Sequence, residues 1–196
     1  LSLFDEYDVP ATWAVVGHLF LDDCDGRQAD LDAPPGWFDH ETGRFAARHD
    51  VRFAPDLVDA ILDADAAHDV GSHSFSHLLY DDAAISRDAV VADLDRAVDV
   101  AAARGIDLES FVYPRNGVAH RDLLADRGFT TYRSRGPVVD GSLERIARKL
   151  ATVADPSRVP VVEPRVDEYG LVDIPPSLFL FGFEGRPRDV LASVWT

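Results

Sequence analysis

Short apolar runs alternate along the chain with longer segments whose apolar residues recur every three or four positions. ATWAVVG at 11–17 is apolar with several β-branched residues, which predicts a buried strand. LSLFDEYDVP before it reads as the end of a helix, with Leu1, Leu3 and Phe4 followed by acids and Pro10. Residues 22–50 carry the turn signals DDCDG, DAPPGW and HETG and predict a long loop. PDLVDAILDADAAHD at 55–69 predicts a helix with Pro55 in its first turn and an apolar stripe of Leu57, Ile61 and Leu62. HDVGSHS at 68–74 predicts a short strand running into a turn. The strongest helical period follows: Val90, Leu94, Ala97, Val98 and Ala101 share a face, and Asp88, Asp93, Asp95 and Asp99 fall on the other sides. Gly105 is its C-terminal stop.

The pattern continues with a strand in SFVYP at 110–114, a helix in VAHRDLLADRG stopped by Gly128, and a strand in FTTYR. DGSLERIARKLATVADP at 140–156 predicts a helix capped by Asp140 or Ser142. GLVDIPPSLFLFG at 170–182 predicts a strand that runs into a Pro-Pro turn. Strands that alternate with helices predict βαβ units, hence an α/β fold with a parallel sheet or barrel, as one domain over 1–196. In such sheets the working residues gather at the C-terminal ends of the strands. His73 and His77, Pro114 to Asn116, and Pro175 to Ser177 all fall at that edge.

Composition narrows the function classes. The chain has 35 Asp and Glu against 19 Lys and Arg, a net charge of −16, and its lone lysine is Lys149. A surface so acidic repels phosphate backbones, which argues against nucleic-acid binding. An Asp-rich, Lys-poor surface also fits a halophilic source, because high salt screens its self-repulsion. No apolar run reaches the roughly 18–20 residues of a membrane span. The chain opens without a signal-peptide pattern, which favours the cytoplasm, although it begins at Leu1 rather than Met. With one cysteine, Cys24, neither an intrachain disulfide nor a thiolate cage is available, so any metal is expected to use His and Asp or Glu. Cys24 lies in LDDCDG, where neighbouring carboxylates disfavour a thiolate, and reads as an unreactive loop residue.

The candidate chemistry lies in HDVGSHSFSH at 68–77. His73 and His77 are four apart at a strand end, beside Gly71, which lets the backbone turn tightly. Ser72, Ser74 and Ser76 are placed to hydrogen-bond the ring nitrogens. Two neutral imidazoles and a carboxylate suit Zn²⁺ with open positions, and the same set suits Fe(II). Spacing and context leave a metal site and a polar turn both open.

HDVGSHSFSH resembles the second motif of the polysaccharide deacetylases, the nodulation-type chitooligosaccharide deacetylase family. FDEYDVPATWAVVG is similar to that family's helix and second strand, SFVYPRNG lies where its third motif falls, and GLVDIPPSLFL resembles a late strand. The matches span residues 4–180 in the family's order. The resemblance implies a distorted (β/α) barrel of seven or eight strands, here incomplete at both ends. It implies a divalent metal, zinc foremost, held by an Asp and two His, with His73 and His77 as the histidine ligands. It implies hydrolysis of N-acetyl groups on a carbohydrate, with the backbone amide of Arg115 or its neighbour as oxyanion donor.

The departures from the family pattern concern the remaining machinery. The family's first motif, an aromatic followed by Asp-Asp, supplies the base and the third metal ligand. Phe4-Asp5-Glu6 mimics it but lies at the end of a helix, too close to the strand, so Asp5 is rejected and the base aspartate is expected upstream of Leu1. The arginine of the third motif is replaced by Val112, with Arg115 three residues on. No histidine follows DIPPS to act as the acid. His120 reads as a helix-surface or capping residue, and His18 stands uncommitted at the barrel edge. His40, His49 and Trp37 belong to the 22–50 loop, where Trp37 could stack on a pyranose ring. Three rivals remain: a glycan-binding barrel without chemistry, a relative acting on a non-sugar C–N bond, and an iron oxygenase, the last disfavoured by the helix-rich pattern.

Overall fold

The computed structural model describes residues 1–24, 28, 31–42, 47–135 and 162–177. Its described strands are β1 (Thr12–Val15), β2 (Asp69–Ser72), β3 (Ser110–Val112), β4 (Thr131–Arg133), β5 (Arg165–Val166) and β6 (Val172–Asp173). They form one sheet in the order β1-β2-β3-β4-β6-β5, parallel throughout except for the antiparallel β5–β6 pair. The α/β class and the parallel core therefore agree with the sequence pattern. Six strands are described where seven or eight were expected, and among the described residues nothing joins β1 to β5 to close a barrel. Of the segment 170–182, residues 170–177 are described: a strand at Val172–Asp173 leads to Pro175 and Pro176, and β6 pairs back onto β5 across a turn at Gly170, which takes φ +83. The helix expected at 140–156 lies outside the described residues.

The helices are α1 (Ser2–Glu6), α2 (Asp39–Thr42), α3 (His49–Arg52), α4 (Pro55–Leu62), α5 (Arg87–Ala102) and α6 (Arg121–Ala125). α5 begins where Ser86 caps it by accepting from the Ala89 amide at 3.0 Å, and Gly105, at φ +72, stands just beyond its end. Its Val90, Leu94, Ala97 and Ala101 are buried in the core with Phe111, Tyr113, Leu124 and Tyr132. Helical period thus became core packing, the term that stabilises a short helix.

Two sequence assignments invert in the fold. In α4 the buried residues are Val58 and Ile61, while Leu57 is 67% and Leu62 49% exposed. Leu57, Ile61 and Leu62 do share an arc, but the helix is rotated so that its core face is centred on Val58 and Ile61. Asp93, placed off the apolar face of α5, is fully buried.

Gly71 is not a turn residue. It lies within β2, where a Cβ would meet Ser110 Cβ and O at 3.0 Å and Thr12 Cγ2 at 3.1 Å, so it permits the close approach of β1 and β3.

Candidate functional site

The β1 and β2 ends are joined beyond their ladder. The His73 amide donates to the Val15 carbonyl, the Gly17 amide to the Ser74 carbonyl and the His18 amide to the Phe75 carbonyl, at 2.8–3.0 Å. A Cβ on Gly17 would stand 2.9 Å from the Phe75 ring, so only glycine fits between these loops. This stitching brings His18 alongside the segment that carries His73 and His77.

That segment is held from below by Asp93. Its carboxylate accepts from the amides of Phe75 and Ser76 at 3.0 Å, from the Ser76 hydroxyl, and from Tyr80 Oη at 2.8 Å. Hydrogen bonds to a buried charge contribute about 1.5–3 kcal/mol each. They offset the cost of burying the carboxylate and hold two residues, Ser74 at φ 63 and His77 at φ 60, in left-handed conformation. Burial and the neighbouring Asp93 charge push the Tyr80 hydroxyl well above its ordinary pKa, so it stays a donor.

His73 and His77 meet at the C-terminal end of β2, with ring centroids 4.9 Å apart and ring planes at 72°. His73 Nδ1 lies 2.6 Å from the Val112 carbonyl. A carbonyl only accepts, so Nδ1 carries the proton and Nε2 keeps its lone pair. The serines do not play the part expected of them. Ser76 Oγ is bound to Asp93, Ser72 Oγ accepts from the Ser74 amide, and Ser74 Oγ is buried without a partner. The orienting group is instead the backbone of Val112, where the family pattern places an arginine.

Both imidazoles titrate below the ordinary 6.5. For His73 the first cause is burial, partly opposed by the Val112 bond and reinforced by His77 and Arg133. For His77 it is burial and then the Arg115 guanidinium, opposed by its own backbone and by Asp93. Neutral imidazoles are the form a metal ion needs. The donor set therefore fits a divalent cation on the two-histidine side. Among the described residues, no Asp or Glu joins these two rings in a three-donor set.

Arg115 and Asn116 follow β3 in left-handed conformation, at φ 52 and φ 56. Arg133 Nη2 donates to Asn116 Oδ1 at 2.9 Å and Arg135 Nε to the Asn116 carbonyl at 2.8 Å, which fixes the turn. Arg115 itself is exposed. His120 occupies the N-cap position of α6 in left-handed conformation, but its side chain caps nothing; Arg87 Nη1 lies 3.4 Å from its Nδ1. Asp5 accepts from the Ala66 amide at 3.0 Å and ties α1 to the turn before β2. His49 is exposed on α3 with its ring near Phe53, and His40 lies in α2. Pro175 to Ser177 follow β6.

A cavity of about 490 Å³ opens beside the pair. His77 and Ser76 line one side, His18, Glu41 and Arg52 another, and Trp37 a wall. Trp37 Nε1 donates to the Ser76 carbonyl at 3.1 Å, so its ring is fixed against the histidine segment. Cys24 is no isolated loop residue. Its sulfur lies 3.1 Å from His18 Nε2 and 3.3 Å from Glu41 Oε2, with Arg52 Nη2 at 3.4 Å and Gln28 Nε2 at 3.6 Å. Sequence gave no sign of this cluster, because its members are separated by loop residues of no regular period.

No curated protein matches the chain. A family model described as polysaccharide deacetylase matches residues 1–132 of the 196, which take in both histidines, the Asp93 support and the 114–116 turn. The chain belongs to the polysaccharide deacetylase family.

Proposed function

We propose that this chain hydrolyses N-acetyl groups on a polysaccharide or glycan with the help of a divalent metal, zinc foremost, held by His73 and His77. The observation that carries this reading is the pair itself: two neutral imidazoles side by side, one with Nδ1 on a backbone carbonyl and Nε2 left as a lone-pair donor. When bound, such a cation supplies Lewis acidity toward an acyl carbonyl and toward water.

The chain's own residues position the parts. Val112 fixes the His73 tautomer, and Asp93 holds the loop in the backbone form that pairs the rings. The Arg115 amide is the donor for the developing oxyanion, in a turn held by Arg133 and Arg135. Trp37 offers an aromatic wall to a pyranose ring in the cavity. Base and acid are assigned to none of the described residues. Among the described residues no carboxylate joins the pair in a three-donor set, which favours a second reading, glycan binding without turnover.

Acetate release from N-acetylated chitooligosaccharides by the Zn²⁺-loaded protein tests the proposal. Release by the wild type and its loss in His73→Ala are expected. Oligosaccharide binding with no release from the wild type overturns hydrolysis in favour of the second reading. Equal release by His73→Ala overturns the metal assignment.

A further inference from the structure

The structure assigns a second metal site, separate from the histidine pair: a transition-metal site of the zinc class formed by His18 Nε2, Cys24 Sγ and Glu41 Oε2. These atoms form a nearly equilateral triangle, with edges of 3.1 Å (N to S), 3.3 Å (S to O) and 3.4 Å (N to O). Three such donors on one face of a tetrahedron around Zn²⁺ stand about 3.3–3.6 Å apart, from Zn–N and Zn–O near 2.0–2.1 Å and Zn–S near 2.3 Å. The observed edges lie within about half an ångström of that face.

The surroundings support a site rather than a chance encounter. His18 Nδ1 lies 3.1 Å from the Arg52 carbonyl, which puts the proton on Nδ1 and turns the lone pair of Nε2 toward sulfur and carboxylate. The Phe53 ring stacks on the imidazole, centroids 5.1 Å apart, and fixes its plane. Glu41 is 5% exposed, so its carboxylate is not a solvated surface acid.

A thiol–imidazole–carboxylate relay is the obvious rival. In a relay the thiol meets one ring nitrogen and the carboxylate orients the other. Here thiol and carboxylate meet the same nitrogen, and a backbone carbonyl holds the other. Convergence on one point is ligand geometry. Imidazole nitrogen with thiolate suits Zn²⁺ and its neighbours rather than Mg²⁺ or Ca²⁺.

Arg52 and Gln28 complete the charge picture. Arg52 Nη2 lies 3.5 Å from Glu41 Oε2 and Gln28 Nε2 donates to it at 3.4 Å, so the metal-free cluster is already hydrogen-bonded. Metal binding forms the S–metal bond as the thiol proton leaves to solvent. The three ligands come from the β1 end, the following loop and α2. A metal there ties the β1 end to α2 beside the cavity that His18, Glu41 and His77 line.

Co²⁺ added to the metal-stripped full chain is the probe, read as the thiolate-to-cobalt charge-transfer band in the near ultraviolet. The band is expected in wild type and in His73→Ala, and lost in Cys24→Ser, whose fold is checked by circular dichroism. Glu41→Gln, which preserves shape, is expected to weaken the apparent Co²⁺ affinity at this band by at least tenfold. No band in wild type overturns the site, as does a band unchanged in Cys24→Ser or an affinity unchanged in Glu41→Gln. Because the band needs sulfur, the outcome is independent of whether the histidine pair binds metal.

Discussion

The two histidine clusters solve one problem with different amounts of chain. In each, a backbone carbonyl takes Nδ1, from Val112 for His73 and from Arg52 for His18, so that Nε2 is left to donate. The pair at 73 and 77 comes from one strand end and rests on a single buried carboxylate, Asp93. The trio of His18, Cys24 and Glu41 is drawn from a strand end, a loop and a helix, and rests on contacts across the loop. The first is nearly local in sequence and depends on a remote support. The second is non-local throughout, and each member depends on the placement of the others.

Four perturbations break or sharpen this contrast. His73→Ala is expected to lower acetate release more than about a hundredfold, since even losing an orienting partner costs about 10–100-fold. It should leave the cobalt–thiolate band intact, and kinetics beside the spectrum check both halves.

Asp93→Ala should damage both clusters, because Asp93 holds Phe75, whose carbonyl receives the His18 amide. It strands several buried donors, each costing about 1–3 kcal/mol, so a loss of about 3–5 kcal/mol is expected in urea unfolding. A loss under about 1 kcal/mol would deny Asp93 its supporting role.

Acid should act on the pair through its depressed titration. The folded state keeps His73 and His77 neutral below the ordinary 6.5, while the unfolded chain takes up protons there. Their contribution to stability is full above that pH. It falls away as the pH drops through the unfolded value toward the folded ones. Metal-free protein should therefore lose stability from about pH 7 to pH 5, less steeply in His73→Ala; parallel curves would contradict the assignment. Zn²⁺ binding at the pair should persist below 6.5, where ordinary histidines release it.

Arg52→Gln gives the smallest effect. It removes positive charge beside Glu41 and Cys24 but keeps the carbonyl that orients His18. Cobalt affinity at the thiolate site should rise by about threefold or more, seen in the band's titration midpoint. Weaker binding would show that Arg52 builds the site instead of competing with its metal.

Much of the scaffold was legible because its signals are periodic. The strands at 12–15, 69–72, 110–112 and 131–133 and the helices from Pro55 and Arg87 fall where alternation and helical spacing put them. The face of α4 was not legible, because Leu57, Val58, Ile61 and Leu62 offer two equally apolar stripes, and packing chose Val58 and Ile61. Asp93 was misplaced because an aspartate among aspartates looks solvated. Its partners, among them the Phe75 and Ser76 amides eighteen and seventeen residues away, show otherwise.

The sequence by itself determined the α/β order, the family and the adjacency of His73 and His77, since four residues at a strand end cannot lie far apart. Tertiary structure alone decided which nitrogen of each ring is free, that Val112 orients His73 where serines were expected to, and that Cys24 faces His18 and Glu41. Those outcomes depend on which backbone carbonyl or loop residue lies within 3 to 4 Å of a ring. Contacts between distant segments are set by the packing of the whole sheet and carry no local period.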